Sequence, residues 1–494
     1  MILFIIGLFI LIVGGYFYGK FCEKVFGPDD RETPAVKLHD GVDYVVMKDW
    51  KNKLIELLNI AGTGPILGPI QGILFGPIAF LTIPIGCVLA GSLHDYFVGM
   101  ISMRNDGAQV PKLVSKYMGN GMNKVYSVII WILMLLTGVV FIYTPGDLIV
   151  NDILGMDVNS SIIWIVYAII LIYYVVSTIF PIDQIIGRIY PAFGAVLIIS
   201  AIGVFIGILR DGGANLYNIT NTGLLFSTHP EGQRFIPVFF ITVACGIMSG
   251  FHGSQATLIS RTVEKENQGR GVFYNMMLAE GFIAMIWAAG AMILFNRGTD
   301  VSTGATAMVG IISREFMGTV GGLFAIAGVI VLPITSGDTA FRALRLMIAE
   351  QFNIDQKSPQ KRVTLSLVIF IPALVILFFA KSNANGFNLL WRYFGFTNQL
   401  VAVFALAMIT VYLKTHNKLY WISLIPALFY TFIVSSYIFH APIGFGLEAR
   451  FGLDPLSYTI SYPLAAVCVV LFYLLINKIA KNRQESILVA DKLK

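Results

Sequence analysis

LIELLNIAGTGPILGPIQGILFG, residues 54–76, is long and apolar enough to cross a bilayer, yet its middle is rich in residues that break helices. The cluster consists of Gly62, Gly64, Pro65, Gly68 and Pro69. Glycine and proline destabilise a helix interior by about 1 and 3 kcal/mol respectively. Backbone groups freed in hydrocarbon must be satisfied by protein or by a water-lined cavity. This stretch therefore predicts a membrane helix that is broken near the midplane.

A second stretch, FIPVFFITVACGIMSGFHGSQATLIS at residues 235–260, has the same character. Its small residues are Gly246, Ser249, Gly250, Gly253 and Ser254. The two stretches lie five predicted spans apart and enter the membrane from opposite sides. This pattern is typical of secondary transporters built from an inverted repeat, whose broken helices form a substrate site near the midplane. The alternative is that the glycines only allow close helix packing, but five adjacent turn-formers matched in a second span favour a binding site.

The composition supports a membrane protein. Of 494 residues, 56% are hydrophobic and 13% are charged, whereas a soluble domain has roughly 25% charged residues. A soluble enzyme and a disordered scaffold are thereby excluded. The four cysteines are scattered without CxxC spacing, so no disulfide framework and no metal site are predicted. Nucleotide-binding, HExxH and GxSxG motifs are missing from the sequence, so we expect no enzyme, no cofactor and no nucleic-acid partner.

Thirteen segments qualify as spans, because a membrane helix needs about 20 mostly apolar residues. The predicted spans are 1–19, 54–75, 77–101, 125–146, 161–180, 189–209, 235–259, 272–295, 317–338, 363–380, 387–412, 419–439 and 456–477. The first lacks the basic start and cleavage site of a signal peptide and is predicted to be retained. We divide the chain into an accessory helix with a cytoplasmic loop (1–53), a transport core (54–412, with halves 54–209 and 235–412), and two accessory helices with a cytoplasmic tail (413–494).

The basic residues predict the orientation. Short cytoplasmic loops collect Lys and Arg, and with the N-terminus outside, 27 of the 34 basic residues fall on the cytoplasmic side. The protein is therefore predicted to be a multi-pass protein of the cell membrane with its C-terminus in the cytoplasm.

Ionisable residues inside spans are costly and suggest function. His94 and Asp95 in the third span form a candidate proton-titrating pair, although Asp95 could instead be an interfacial carboxylate paired with Arg104. Glu280 lies among apolar neighbours in the eighth span and must be paired or protonated, which makes it an equally good coupling carboxylate.

The ninth span supplies three further oxygen donors, Thr335, Ser336 and Asp338, next to Pro333 and Gly337. Such donors suit a sodium or proton site. The structural alternative is a helix C-cap in which Asp338 pairs with the arginine one turn later.

Candidate substrate contacts come from the two breaks and from the eleventh span. His252 and Gln255 follow the second break and could hydrogen-bond a carboxylate or peptide group, although a single histidine often only satisfies a carbonyl. Asn398 could line the repeat interface or simply join helices. The predicted substrate set is Gly62, Thr63, Gly64, Pro65, Ser249, Gly250, His252, Gln255 and Asn398.

Five blocks of the sequence resemble the carbon starvation protein A family: IAGTGPILGPIQG (60–72), GSLHDYFVGMISMRNDG (91–107), CGIMSGFHGSQATLISRTVEKENQGRGVFY (245–274), LPITSGDTAFRALRLMIAE (332–350) and WRYFGFTNQ (391–399). The resemblance implies the amino acid–polyamine–organocation superfamily, a leucine-transporter-like fold, and uptake of peptides or pyruvate with protons. Longer family members carry extra C-terminal spans, so the chain resembles a short-form member.

The sequence thus predicts an all-helical membrane protein with a five-plus-five inverted repeat that works by alternating access. A small carboxylate-bearing nutrient, which the resemblance implies is a peptide or pyruvate, would sit between the breaks, facing the positive ends of the half-helices. The coupling ion is predicted to be a proton, with sodium as the alternative. A channel is disfavoured because the polar residues form isolated clusters, and a membrane-embedded enzyme would need a metal held by His94, Asp95 and His252.

Overall fold

The structure is a computed structural model that describes residues 1–179, 182–216, 229–299, 304–356, 358–383 and 385–492, without the side chains of 178–189 and 486–492. All regular elements in this part of the chain are helical. The all-helical fold class predicted from the sequence is confirmed.

Eighteen helical segments are labelled in chain order, and the one-turn helix Pro34–Lys37 between the first two is left without a label. They are α1 (Ile2–Phe26), α2 (Asp49–Ile60), α3 (Gly64–Phe75), α4 (Ala79–Met103), α5 (Val110–Met118), α6 (Asn120–Ile153), α7 (Ile162–Ile179), α8 (Ile182–Arg210), α9 (Phe235–Thr242), α10 (Ala244–Ile247), α11 (Gly250–Ile259), α12 (Glu266–Asn296), α13 (Ala305–Phe352), α14 (Pro359–Ser382), α15 (Gly386–Thr415), α16 (Trp421–His440), α17 (Leu447–Arg450) and α18 (Ser461–Lys492).

Each of the thirteen predicted spans has a helical counterpart in the described chain. Ten helices are long and apolar enough to cross a membrane by themselves. The helices α2 and α3 pass the same test as a pair that is bent by 49° at its break. The fifth and seventh predicted spans correspond to the 18-residue α7 and to the run of short helices α9, α10 and α11. Residue 180, the predicted end of the fifth span, lies outside the described residues.

The ninth span differs most from its predicted bounds of 317–338. Its helix, α13, has 48 residues and is interrupted only at Gly318, whose φ of +70° is not helical. Beyond position 338 the chain reads TAFRALRLMIAEQF, which is rich in strong helix formers. The helix therefore continues until Asn353, which adopts the left-handed conformation typical of a C-terminal cap. Asp338 accordingly lies inside a helix and is not a C-cap.

The two broken spans occupy the centre of the bundle. The helix α2 packs against α8, α11, α12 and α13, and α3 packs against α10 and α12. On the periphery, by contrast, large apolar side chains such as Ile371 on α14 and Leu471 on α18 are exposed. Contiguous exposed apolar surface suits contact with lipid. The fold thus places both breaks where lipid cannot reach them.

Candidate functional site

The first break separates α2 from α3. The amide of Gly62 donates to the carbonyl of Ile60 instead of that of Leu58, so the Leu58 carbonyl loses its helical partner. The hydroxyls of Thr335 and Ser336 donate to that carbonyl at 3.1 and 2.9 Å. Pro65 lies in the first turn of α3, where a missing N–H costs little. Two hydroxyls of α13 therefore satisfy the backbone at this break.

The second break is the extended pair Met248 and Ser249. The Asn398 side-chain oxygen accepts hydrogen bonds from the Ser249 hydroxyl at 3.0 Å and from the Phe251 amide at 2.9 Å. The neighbouring Gln399 donates its side-chain N–H to the Met248 carbonyl at 2.8 Å. The adjacent side-chain amides of Asn398 and Gln399 on α15 thus hold this break. Asn398 also accepts a hydrogen bond from Phe251, whose backbone N–H lies in the first turn of α11.

The breaks also touch each other. A side chain added at Gly64 would collide with Cys245, and one added at Gly68 would lie 2.7 Å from the Thr242 carbonyl. At Gly62 an added side chain would meet the ring of Phe141. These glycines therefore permit close helix packing, which was the alternative raised from the sequence, as well as the change of direction.

A chain of carboxylates and imidazoles lies beside the breaks. The two oxygens of Asp95 contact Nδ1 of His94 at 2.8 Å and Nδ1 of His252 at 3.1 Å. The other nitrogen of His252, Nε2, lies 3.4 Å from Glu280 Oε2. All four side chains are completely buried. The candidates chosen for ion coupling on α4 and α12 thus meet through His252, which the sequence suggested as a substrate contact.

Glu56 and Asn59, on α2, were missed by the sequence analysis. Both are fully buried, and both oxygens of Glu56 and both polar atoms of the Asn59 amide lack a hydrogen-bond partner among the described residues. Glu56 is near enough to Asp95 and Glu280 for their charges to interact. The sequence did contain a signal for Glu56, because a lone carboxylate within an apolar span suggests function.

The three candidates on α13 divide into two groups. Thr335 and Ser336 reach the first break, as described above. Asp338 faces α7 and α8, where it accepts hydrogen bonds from Tyr173 at 2.8 Å, Ser177 at 3.0 Å and Tyr190 at 3.2 Å. Three hydroxyl donors satisfy this buried carboxylate, so it stands apart from the histidine chain.

The predicted substrate contacts are enclosed in the structure. Thr63, Ser249, Gln255 and Asn398 are all completely buried. The hydroxyl of Thr63 and the side-chain oxygen of Gln255 have no hydrogen-bond partner among the described residues, while the Gln255 N–H donates to the Ser254 hydroxyl at 2.9 Å. The region between the breaks therefore contains polar groups that a bound molecule could satisfy.

Ion pairs close the end of the bundle that is predicted to be cytoplasmic. Asp43, before α2, lies 3.4 Å from Arg342 and 3.8 Å from Arg345 on α13. Arg261, after α11, pairs with Glu350 at 2.5 Å. Burial would raise the pKa of Asp43, but Arg345 and Arg342 outweigh it and hold the pKa below its usual value. These pairs connect the segments next to both broken spans to α13.

Two cavities flank this central region. One, of about 340 Å³, is polar and lies beside the ion pairs, where Asp43, Arg261 and Glu350 contribute to its wall. The other, of about 510 Å³, is apolar and is lined by residues of α1, α2, α8 and α12, among them Leu57 and Phe282.

The chain matches the model of the family described as carbon starvation protein CstA over residues 1–208, 146–310 and 287–436. It is 38% identical to an uncharacterized membrane protein of Haemophilus influenzae, over 56% of this chain and 87% of that protein. It is 26% identical to the peptide transporter CstA of Escherichia coli, over 84% of this chain and 77% of the relative. It is 27% identical to the pyruvate/proton symporter BtsT of Escherichia coli, over 58% of this chain and 48% of that protein.

Solved transporters share the fold. The structure of MhsT in complex with L-phenylalanine superposes with a TM-score of 0.57 at 13% identity, covering 87% of this chain and 99% of that one. A manganese transporter from Eremococcus coleocola gives a TM-score of 0.55 at 13% identity, covering 90% and 99%. Both have the leucine-transporter-like fold, which confirms the predicted architecture. The relatives named for an activity and the structural neighbours are transporters, not enzymes. This chain, a multi-pass membrane transporter, therefore belongs to the carbon starvation protein CstA family.

Proposed function

We propose that the protein imports a small carboxylate-bearing nutrient, either a peptide or pyruvate, across the cytoplasmic membrane together with protons. The observation that carries this proposal is the buried chain from Asp95 through His252 to Glu280. A histidine between two carboxylates can accept a proton at one ring nitrogen and release a proton from the other. The names of two relatives, a peptide transporter and a pyruvate/proton symporter, support the choice of substrates and ion.

The location of His252 connects protonation to movement. His252 belongs to α11, directly after the second break, while Asp95 and Glu280 belong to the unbroken spans α4 and α12. A change of protonation therefore alters the contacts between a broken span and its rigid neighbours. In alternating access, such a change biases the outward-facing or the inward-facing state according to how strongly each state holds the proton.

The substrate is proposed to bind between the breaks, at Gly62–Pro65 and at Ser249–Gly253. The unpartnered Thr63 hydroxyl and Gln255 carbonyl support this location. Release to the cytoplasm requires the Asp43 and Arg261 ion pairs to separate, since they fasten both broken spans to α13.

Uptake into proteoliposomes tests the proposal. Labelled alanyl-alanine and labelled pyruvate are offered under an inward proton gradient, an inward sodium gradient, or neither. We expect accumulation of one of these substrates with the proton gradient only, and trans-acceleration in counterflow, which requires a carrier and not a channel. Equilibration without accumulation under every gradient would contradict proton coupling.

A sodium-coupled carrier of another small metabolite is the second candidate. It is favoured by one observation, the convergence of the Thr335 and Ser336 hydroxyls on the Leu58 carbonyl at the first break. Three oxygens of this kind can contribute to the coordination of a hard cation. The sodium arm of the same uptake assay separates the two candidates.

A further inference from the structure

The first broken span contains two buried polar side chains whose partners are not within the described protein. Glu56 and Asn59 are three residues apart on α2, so they lie on the same face of the helix. Both are completely buried, and none of their four polar side-chain atoms has a hydrogen-bond partner in the described residues. Burying a carboxylate and an amide in this way is costly unless a ligand satisfies them.

The helices around this pair carry several unpartnered acceptors. On α2, and on the helices α11 and α12 that pack against it, these are the Glu56 oxygens, the Asn59 carbonyl, the Gln255 carbonyl and an oxygen of Glu280. The segments 54–76, 79–103, 235–260 and 271–296, which contribute these groups and their neighbours, contain neither lysine nor arginine. Their two histidines, His94 and His252, face Asp95 and Glu280. The missing partner should therefore be a positively charged donor.

We propose that Glu56 and Asn59 form a subsite for the α-ammonium group of the substrate, an inference that rests on the proposed transport site. An ammonium has three N–H donors, which the Glu56 carboxylate and the Asn59 carbonyl oxygen accept. The Asn59 side-chain N–H then donates to the carbonyl on the neighbouring carbon of the substrate. The substrate class is accordingly a peptide or amino acid with a free amino terminus, and a keto acid such as pyruvate is discriminated against.

Two simpler occupants fit the pair less well. A proton on Glu56 would neutralise the carboxylate but would leave both atoms of the Asn59 amide without partners. A sodium ion would bind the oxygens but would leave the Asn59 N–H with no acceptor. An ammonium next to a carbonyl satisfies the carboxylate and both ends of the amide together.

The test compares a free and an N-acetylated dipeptide, which differ only at the amino group, and adds pyruvate as a keto acid. Full-length protein in proteoliposomes is assayed by counterflow of labelled alanyl-alanine, with unlabelled alanyl-alanine, N-acetyl-alanyl-alanine or pyruvate as competitors. We expect acetylation to weaken competition about tenfold or more, as for the loss of a charged hydrogen bond. We expect Glu56→Gln to weaken binding of alanyl-alanine by a similar factor while leaving the acetylated dipeptide unchanged or tighter.

Two further variants serve as controls. Glu32→Gln removes an exposed carboxylate in the loop before α2 and should retain the preference for the free dipeptide over the acetylated one. Binding of the acetylated dipeptide by Glu56→Gln reports that the variant is folded, and Asn59→Ala provides a second variant of the subsite. Equal competition by free and acetylated dipeptide, stronger competition by pyruvate, or unchanged discrimination in Glu56→Gln would each overturn the inference.

Different results would reject the ammonium subsite and the proposed proton coupling. Proton-driven uptake of pyruvate but not of dipeptide would keep the proposed coupling and reject the ammonium subsite. Selective binding of free amino termini without any response to a proton gradient would keep the subsite and reject the coupling.

Discussion

Three carboxylates, those of Glu56, Asp95 and Glu280, lie in one buried region together with two histidines among the described residues. Even with both imidazoles protonated, three ionised carboxylates would leave an uncompensated charge in a buried environment, which is strongly unfavourable. At the residue scale, the carboxylates therefore require bound protons or a cationic ligand. Binding of a ligand at this site is thereby linked to the protonation of its carboxylates.

Removing the central carboxylate should uncouple transport. In Asp95→Asn, the side chain keeps its shape but cannot hold the two histidines by charge, so we expect the loss of proton-driven accumulation while counterflow exchange persists. Uptake under an inward proton gradient and counterflow, measured on the same vesicles, check this result. Asp30→Asn, an exposed loop carboxylate, is the control and should accumulate substrate normally. Full accumulation by Asp95→Asn would show that this residue does not couple.

A second residue-scale prediction concerns Asp43. Asp43→Asn leaves Arg342 and Arg345 without their shared carboxylate, and breaking a buried ion pair should destabilise the protein by about 3 kcal/mol. Because the folded-state pKa of Asp43 is depressed, its stabilisation is present above the ordinary aspartate pKa and is lost as the pH falls through the lowered value.

Thermal unfolding in detergent at a series of pH values measures this effect. The difference between wild type and Asp43→Asn should be full at neutral pH and should shrink in strong acid. A difference that grows with acidification would contradict the assigned charge state.

At the scale of elements, the breaks were predictable because their cause is local. The chain is interrupted between α2 and α3 at the cluster from Gly62 to Pro65. It is interrupted between α10 and α11 at Ser249 and Gly250. The length of α13 was not predicted, because hydropathy ends the span near the membrane surface while the helix continues through a charged but helix-forming sequence up to Asn353.

The pairing of side chains was less predictable, since it depends on contacts between residues distant in sequence. His94 and Asp95 are neighbours and were recognised together. The contact between Asp95 and His252 spans 157 positions, and no local pattern indicates it. Glu56 and Asn59 were visible as polar residues in an apolar span, but only their lack of partners in the folded chain gives them a role.

The packing of the second broken span gives an element-scale prediction. A side chain at Gly250 would lie 2.5 Å from the Asn398 carbonyl and 2.6 Å from the Ala402 amide, both backbone atoms that cannot move aside. Gly250→Ala should therefore destabilise the protein by about 2 kcal/mol through overpacking. Gly121→Ala in α6 has nothing within 4 Å of the added atom and should be tolerated. Equal melting temperatures for the two variants would contradict the packing of α11 against α15.

At the scale of the whole molecule, the inverted repeat requires a definite orientation in the membrane. The distribution of basic residues predicts the N-terminus outside and the C-terminus in the cytoplasm. Single cysteines can test this in a Cys468→Ser background, because Cys22, Cys87 and Cys245 are buried. Asn159→Cys, between α6 and α7, should react with an impermeant maleimide on intact cells, whereas Lys124→Cys should react only after permeabilisation. The opposite pattern would invert the topology.

The measurement that tests the central claim most directly is the internal pH of proteoliposomes when substrate is added outside, without any imposed gradient. If the chain from Asp95 to Glu280 carries protons with the substrate, addition of alanyl-alanine or pyruvate should acidify the interior of wild-type vesicles, and Asp95→Asn should abolish the change. Substrate entry at the normal rate with no change of internal pH would contradict proton coupling at this site.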